Sequence, residues 1–180
     1  MTPRMKSATI EPAFRTAGPA DACALAALGR QSFIETFGHL YRSEDLAAFL
    51  LSHNEEDWRA NLGSDDYAVR IAEAEGEAVA YAKLGPLSLP FEPARPSIEL
   101  KQFYVLAPWQ GQGLAPALMD WALAESRRRG VNEMYLSVFT DNHRARAFYK
   151  RYGFVFVAPF TFMVGDQADE DEIWRLSLDD

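Results

Sequence analysis

The chain has 180 residues, 48% of them hydrophobic and 24% charged, with a net charge of −8, which is the size and make-up of one soluble domain with a substantial core. That charge repels a phosphate backbone, and no basic stripe interleaved with aromatics offsets it, so nucleic acid is excluded as a partner while a cationic substrate is favoured. No apolar run of about 18 residues marks a membrane span, the opening "MTPRMKSATIEP" lacks a signal-peptide core, and His39, His53, His143 and Cys23 show no metal-binding spacing; a cytoplasmic protein with no metal and no membrane partner is expected.

No repeat or linker divides residues 1–180, so a single domain is expected, with 1–12 as a flexible N-terminal segment. A first strand is read at "AFRTA" (13–17). Pro19 and Asp21 then stand at the start of a helix through "DACALAALGRQSFIETF", in which Cys23 is expected to be a small buried hydrophobe. Further helical pieces start at Ser43 and span Glu55 to Leu62. Two strands, "YAVRIAEAE" and "AVAYAKLG", meet across Gly76 as a hairpin. The segment 85–97, with Pro86, Pro90, Pro93 and Pro96, can only be a loop.

Next comes "IELKQFYV" (98–105), of strand composition, in which Leu100, Phe103 and Val105 face inward only if a bulge breaks the alternation. The periodic set Leu114, Ala117, Leu118 and Trp121 predicts a helix from near Gly113 to Gly130. A strand, "VNEMYLSVF", and a helix in "DNHRARAFYKRYG" follow, the latter with Ala145, Phe148, Tyr149 and Tyr152 on one stripe. Two strands, "FVFVAPFTFMV" and "EIWRLSL", close the chain around an acidic loop, "GDQADED". The alternation predicts an α/β fold, a mixed sheet with helices on both faces.

The strand, "PWQGQG" and helix unit is the place for chemistry. A helix start leaves about four N–H groups without intrahelical partners and carries a positive dipole end, and glycines let an anion approach that backbone closely. Nothing in "GQGLAP" supplies the lysine and hydroxyl of a nucleotide P-loop, and Pro116 stands where a dinucleotide fingerprint needs Gly or Ala.

"VLAPWQGQGLAPALM" resembles the pyrophosphate motif of the GCN5-related N-acetyltransferases, Gln/Arg-x-x-Gly-x-Gly/Ala, carried here by Gln110, Gly113 and Ala115. "NHRARAFYKRYGF" is similar to the family's second signature, and the order of elements matches across nearly the whole chain. The resemblance implies a mostly antiparallel sheet of about seven strands with a splayed centre. It implies acetyl coenzyme A (acetyl-CoA) as cofactor, its pyrophosphate on the backbone of Gln110, Gly111, Gln112, Gly113, Leu114 and Ala115. Phe103, Tyr104 and Val105 would meet the acetyl and pantetheine groups. Pro116 departs from many members by lacking an N–H, though in a first helical turn it breaks no helix bond.

The same resemblance places the phenol of Tyr149 as general acid near the sulfur, Asn142 on the pantetheine arm and Glu99 where some members carry the base. Each residue has a structural alternative: Tyr149 a core residue, Asn142 a helix N-cap, Glu99 a surface carboxylate. Outside the signatures, "SFIETFGHLYRSEDLAAFL" and "FTFMVGDQADEDEIWRLSL" resemble PaiA-like bacterial polyamine N-acetyltransferases. Glu35, His39, Tyr41, Glu44 and Asp45 would then line the pocket of a small-molecule amine such as spermidine or spermine, the alternative being a solvated helix face. The acidic loop 166–172 reads as a soluble turn or as a lure for a polycation. A coenzyme-binding sensor module, or an enzyme acting on a protein lysine or N-terminus, are the competing functions. Dimers are common in the family, so a homodimer is a further expectation, though no sequence feature marks its interface.

Overall fold

The computed structural model describes residues 11–179; most of the N-terminal segment expected at 1–12 lies outside them. The elements run β1 (Ala13–Thr16), α1 (Ala22–Phe37), α2 (Ser43–Leu50), α3 (Glu55–Leu62), β2 (Ala68–Ala74), β3 (Glu77–Gly85), β4 (Ser97–Val105), α4 (Leu114–Arg128), β5 (Glu133–Phe139), α5 (His143–Arg151), β6 (Val155–Val164) and β7 (Gln167–Ser177). The seven strands form one sheet in the order β1-β2-β3-β4-β5-β7-β6. Every neighbouring pair is antiparallel except β4 with β5.

Strand alternation divides the core between the two faces. From β2, Ala72 and Ala74 join Leu114, Leu118, Met119 and Ala122 of α4 and Tyr149 of α5 on one side. Val69 and Ile71 join Leu25, Ala26 and Leu28 of α1 and Trp58 of α3 on the other. Of the predicted apolar stripe of α4, Leu114 and Leu118 are buried, while Ala117 and Trp121 are only partly so and Met119 and Ala122 complete the buried face; each large buried side chain contributes about 1.5–3 kcal/mol by leaving water. Cys23 is exposed, contrary to expectation. The buried face of α1 is set by Ala22, Leu25, Ala26, Gly29 and Phe33, and at 100° per residue Cys23 falls well off that stripe.

Two features of β4 position the site. Opposite Lys83 and Leu84 of β3 its register slips, pairing Gln102 and then Leu100 and leaving Lys101 as the extra residue; this is the bulge the inward spacing of Leu100, Phe103 and Val105 demands. Towards β5, β4 pairs only at Ser97, Ile98 and Glu99. Beyond Glu99 the two strands continue to Val105 and Phe139 without pairing, and the sheet centre splays. The acidic segment departs from the expected loop. Strand β7 begins at Gln167, five residues before Glu172, and pairs with β6 from Val164↔Gln167 onward. No helix among the described residues is long and apolar enough to cross a membrane, and no group of three metal-ligating side chains occurs among them.

Candidate active site

The splay opens a cleft of about 860 Å³, walled by β4 and β5, α1 and the turn after it, the start of α4, α5, and the β6–β7 hairpin. One end is the turn between β4 and α4. Gly111 and Gly113 hold left-handed backbone at φ +77° and +85°, a conformation costly for side chains other than glycine. A side chain added at either would meet no protein atom within 4 Å, so the ground before the turn is open. Among the described residues, the N–H groups of 111–115 make no hydrogen bond within the protein, whereas Ala117 N–H already bonds Gly113 O at 3.3 Å. Side chains brace the turn from behind: Gln110 Nε2 donates to Val105 O at 2.9 Å, Gln110 Oε1 accepts from Arg144, and Gln112 Nε2 donates to Pro108 O at 2.7 Å. Free converging donors at a helix N-terminus fit the pyrophosphate of coenzyme A, and Pro116 leaves the helix intact.

Along the cleft wall, Phe103, Tyr104 and Val105 bring β4 backbone that β5 does not pair. Asn142 caps α5 as well as facing the cleft: its Oδ1 accepts Ala145 N–H at 3.2 Å. Its amide Nδ2 makes no bond among the described residues and is free to donate. Tyr149 is 8% exposed, packed among Phe103, Phe148 and Phe154, yet it lines the cleft and its hydroxyl has no protein partner among the described residues. Core residue and cleft donor are therefore one residue. Burial, with a smaller push from Tyr104, raises its pKa and keeps the phenol protonated at neutral pH.

The remaining candidates separate. Glu35 and Tyr41 line the cleft; His39 and Glu44 are exposed and do not. Glu35 Oε2 accepts Ala107 N–H at 3.1 Å, tying α1 to the segment after β4. Asp45, buried, accepts from Asp166 N–H and from Arg42 Nε at 2.9 Å each, and so pins α2 to the β6–β7 turn; these bonds hold its carboxyl below the usual range. Leu114 is buried under α4 and Gln112 points back to Pro108, so these two contribute to the turn by backbone alone. Glu99 does not line the cleft: its Oε2 accepts from Ser88 N–H at 2.7 Å, Ser88 Oγ at 3.0 Å and Lys101 Nζ at 3.1 Å, holding the proline-rich loop to β4.

Two acids of β7 face the cleft instead. Asp169 and Asp171 are 7% and 8% exposed, line its wall, and alternate with residues that face away. Sequence reasoning offered the segment 166–172 as a soluble turn or a polycation lure but singled out neither residue, because an acidic run reads as a loop; the period-two alternation leading into buried Ile173 was the available signal.

The profile of the acetyltransferase (GNAT) family matches residues 30–154. The chain belongs to that family. An uncharacterized N-acetyltransferase of Lactobacillus delbrueckii subsp. lactis is 28% identical over 157 residues, covering 84% of this chain and 89% of its own. Another, from Mycobacterium tuberculosis, is 29% identical over 154 residues, covering 85% and 95%. Among solved structures, the PaiA N-acetyltransferase of Thermoplasma acidophilum in complex with coenzyme A superposes with a TM-score of 0.77 at 17% identity, over 93% of this chain and 99% of that one. The yncA protein of Salmonella typhimurium, solved with its cofactor acetyl-CoA, gives 0.68 at 24% identity, over 94% and 95%. This GNAT chain is accordingly an acetyltransferase, with the open, mostly antiparallel sheet of those neighbours.

Proposed function

We propose that this GNAT enzyme transfers acetyl from acetyl-CoA to a primary amine that enters as an ammonium, and that its acceptor is a linear di- or polyamine of the spermidine and spermine kind. One observation carries the reading: a single cleft holds free backbone donors at the α4 start, the protonated phenol of Tyr149, and two buried acids on β7. Anion and cation sites in one cleft suit a phosphorylated donor and a cationic acceptor.

Acetyl-CoA supplies the activated thioester. The chain does the rest: N–H groups of 111–115 bind the pyrophosphate, and Asn142 Nδ2 and the edge of Phe103 to Val105 that β5 does not pair orient the arm. Tyr149 then protonates the departing sulfur. Phe33, Phe37, Phe139 and Phe162, all in the wall, give methylene segments an apolar surface and give the cation aromatic faces.

The test is thiol release from acetyl-CoA by the purified protein across a panel of spermidine, spermine, a monoamine, an amino acid and a lysine peptide. Transfer to the polyamines above the other acceptors is expected. Transfer confined to the peptide would replace the acceptor class, and coenzyme binding with no transfer to any of them would point to a sensor.

A further inference from the structure

We infer that Asp171 takes the proton from the acceptor's ammonium and that Asp169 is the fixed anion that holds the ammonium beside it; this rests on the amine-acetylation reading above. Both project from one face of β7, two residues apart, into the cleft. Their partners differ. Asp169 accepts from the Tyr41 hydroxyl and from Gln167 Nε2 at 3.0 Å. Asp171 has no hydrogen bond or ion pair among the described residues, although it is more than nine-tenths buried. A buried carboxyl without a donor is costly, and the open side of this one is the cleft.

Directly opposite in the sheet, Phe139 of β5 and Phe160 of β6 flank Asp171, and Phe162 flanks Asp169. The cross-strand neighbours of the two acids are therefore aromatic, and among the described residues neither has a protein cation at hydrogen-bonding distance. Burial first, and the charge of Asp169 second, push the Asp171 carboxyl up to about 7. The other charged or titratable groups lining the cleft are Glu35 on α1, Tyr41 after it, Lys101 and Tyr104 on β4, and Arg144, Tyr149 and Arg151 on α5. A base half-ionised near neutral pH is matched to general base work.

The protons balance as follows. Asp171 accepts one N–H proton of R–NH3+, freeing the nitrogen lone pair. The nitrogen bonds to the acetyl carbon while the carbon–sulfur bond breaks, and sulfur takes the Tyr149 hydroxyl proton. The second proton lost by nitrogen restores the phenol, and Asp171 returns its own to solvent. Amide, thiol and one proton leave.

The experiment measures spermidine acetylation from about pH 5.5 to 9 for the wild type, Asp171→Asn and Asp169→Asn, with acetyl-CoA binding followed by calorimetry. The wild-type kcat/KM for spermidine should rise with pH through an inflection near 7, the range of the Asp171 carboxyl in the ligand-free protein. Asp171→Asn should bind acetyl-CoA normally, lose that inflection and lose about 10²–10⁴ in kcat at neutral pH. Asp169→Asn should instead raise the spermidine KM at least tenfold with a smaller loss in kcat. Independently of turnover, infrared difference spectra of the coenzyme-free protein should show a carboxylic-acid band titrating near pH 7 that is absent in Asp171→Asn. Retention of the inflection and of kcat in Asp171→Asn, or absence of that band from the wild type, overturns the assignment while amine acetylation stands. No transfer to any amine by the wild type overturns the amine reading and this inference together.

Discussion

Tyr149 shows how one side chain can be read twice. The stripe of α5 gives Tyr149 a place in the core, and the structure puts it there; the same packing raises the phenol's pKa, and the residue lines the cleft with a hydroxyl that has no partner among the described residues. Tyr149→Phe should therefore preserve the fold and acetyl-CoA affinity while kcat falls by about 10²–10⁴, measured by thiol release at saturating acceptor. Gly113 sits at φ +85° with open space before it. Gly113→Val should cost the fold about 1–2 kcal/mol for its left-handed backbone, within the 5–15 kcal/mol typical of domains. It should weaken acetyl-CoA binding more than tenfold by calorimetry, since the new side chain occupies the ground the pyrophosphate needs. Both residues are legible in the sequence because local rules place them: a glycine before a helix, an aromatic on an apolar stripe. Asp169 and Asp171 are not, because acids are almost never deeply buried unless paired, and only the pairing of β7 with β5 and β6 turns them inward.

Strand β4 shows what an element can and cannot announce. Its composition marks a strand and its inward spacing marks a bulge, and Lys101 is that bulge. The destination of Glu99 depends on the loop folding over it, since Ser88 is 11 residues upstream and reaches the carboxylate only when the proline-rich segment returns to β4. Glu99 thereby fastens a loop to a strand. Charged hydrogen bonds of this kind contribute about 1.5–3 kcal/mol, so Glu99→Ala should lower the melting temperature by about 3–12 °C for a chain of this length. The pH at half-maximal kcat/KM should stay where it is in the wild type, which separates this loop fastening from proton transfer at Asp171. Strand β7 is the converse case. Its first residues are too acidic to resemble a strand, and their pairing with β6, unbroken from Val164↔Gln167 to Phe160↔Asp171, overrides that local composition.

At the scale of the whole molecule, the net charge of −8 and the buried acids of β7 act in the same direction on a cationic acceptor. On the proposed reading, the overall field would raise the local concentration of a polyamine around the protein, and Asp169, fixed by Tyr41 and Gln167, would receive one ammonium inside the cleft. Salt distinguishes these contributions, because exposed charges are screened over about 8–10 Å at 0.1–0.15 M while partly buried ones are screened much less. The KM for spermidine should rise severalfold between low and physiological ionic strength, whereas the KM for a singly charged monoamine should rise less. Glu44 is exposed on α2 outside the cleft wall, so Glu44→Gln should remove part of the salt dependence and little of the affinity. Asp169→Asn should do the reverse, raising KM at every ionic strength and leaving the slope against salt nearly intact. Steady-state KM values for the two variants across a salt series check this, and a spermidine KM indifferent to salt in the wild type would show that the surface field takes no part in acceptor capture.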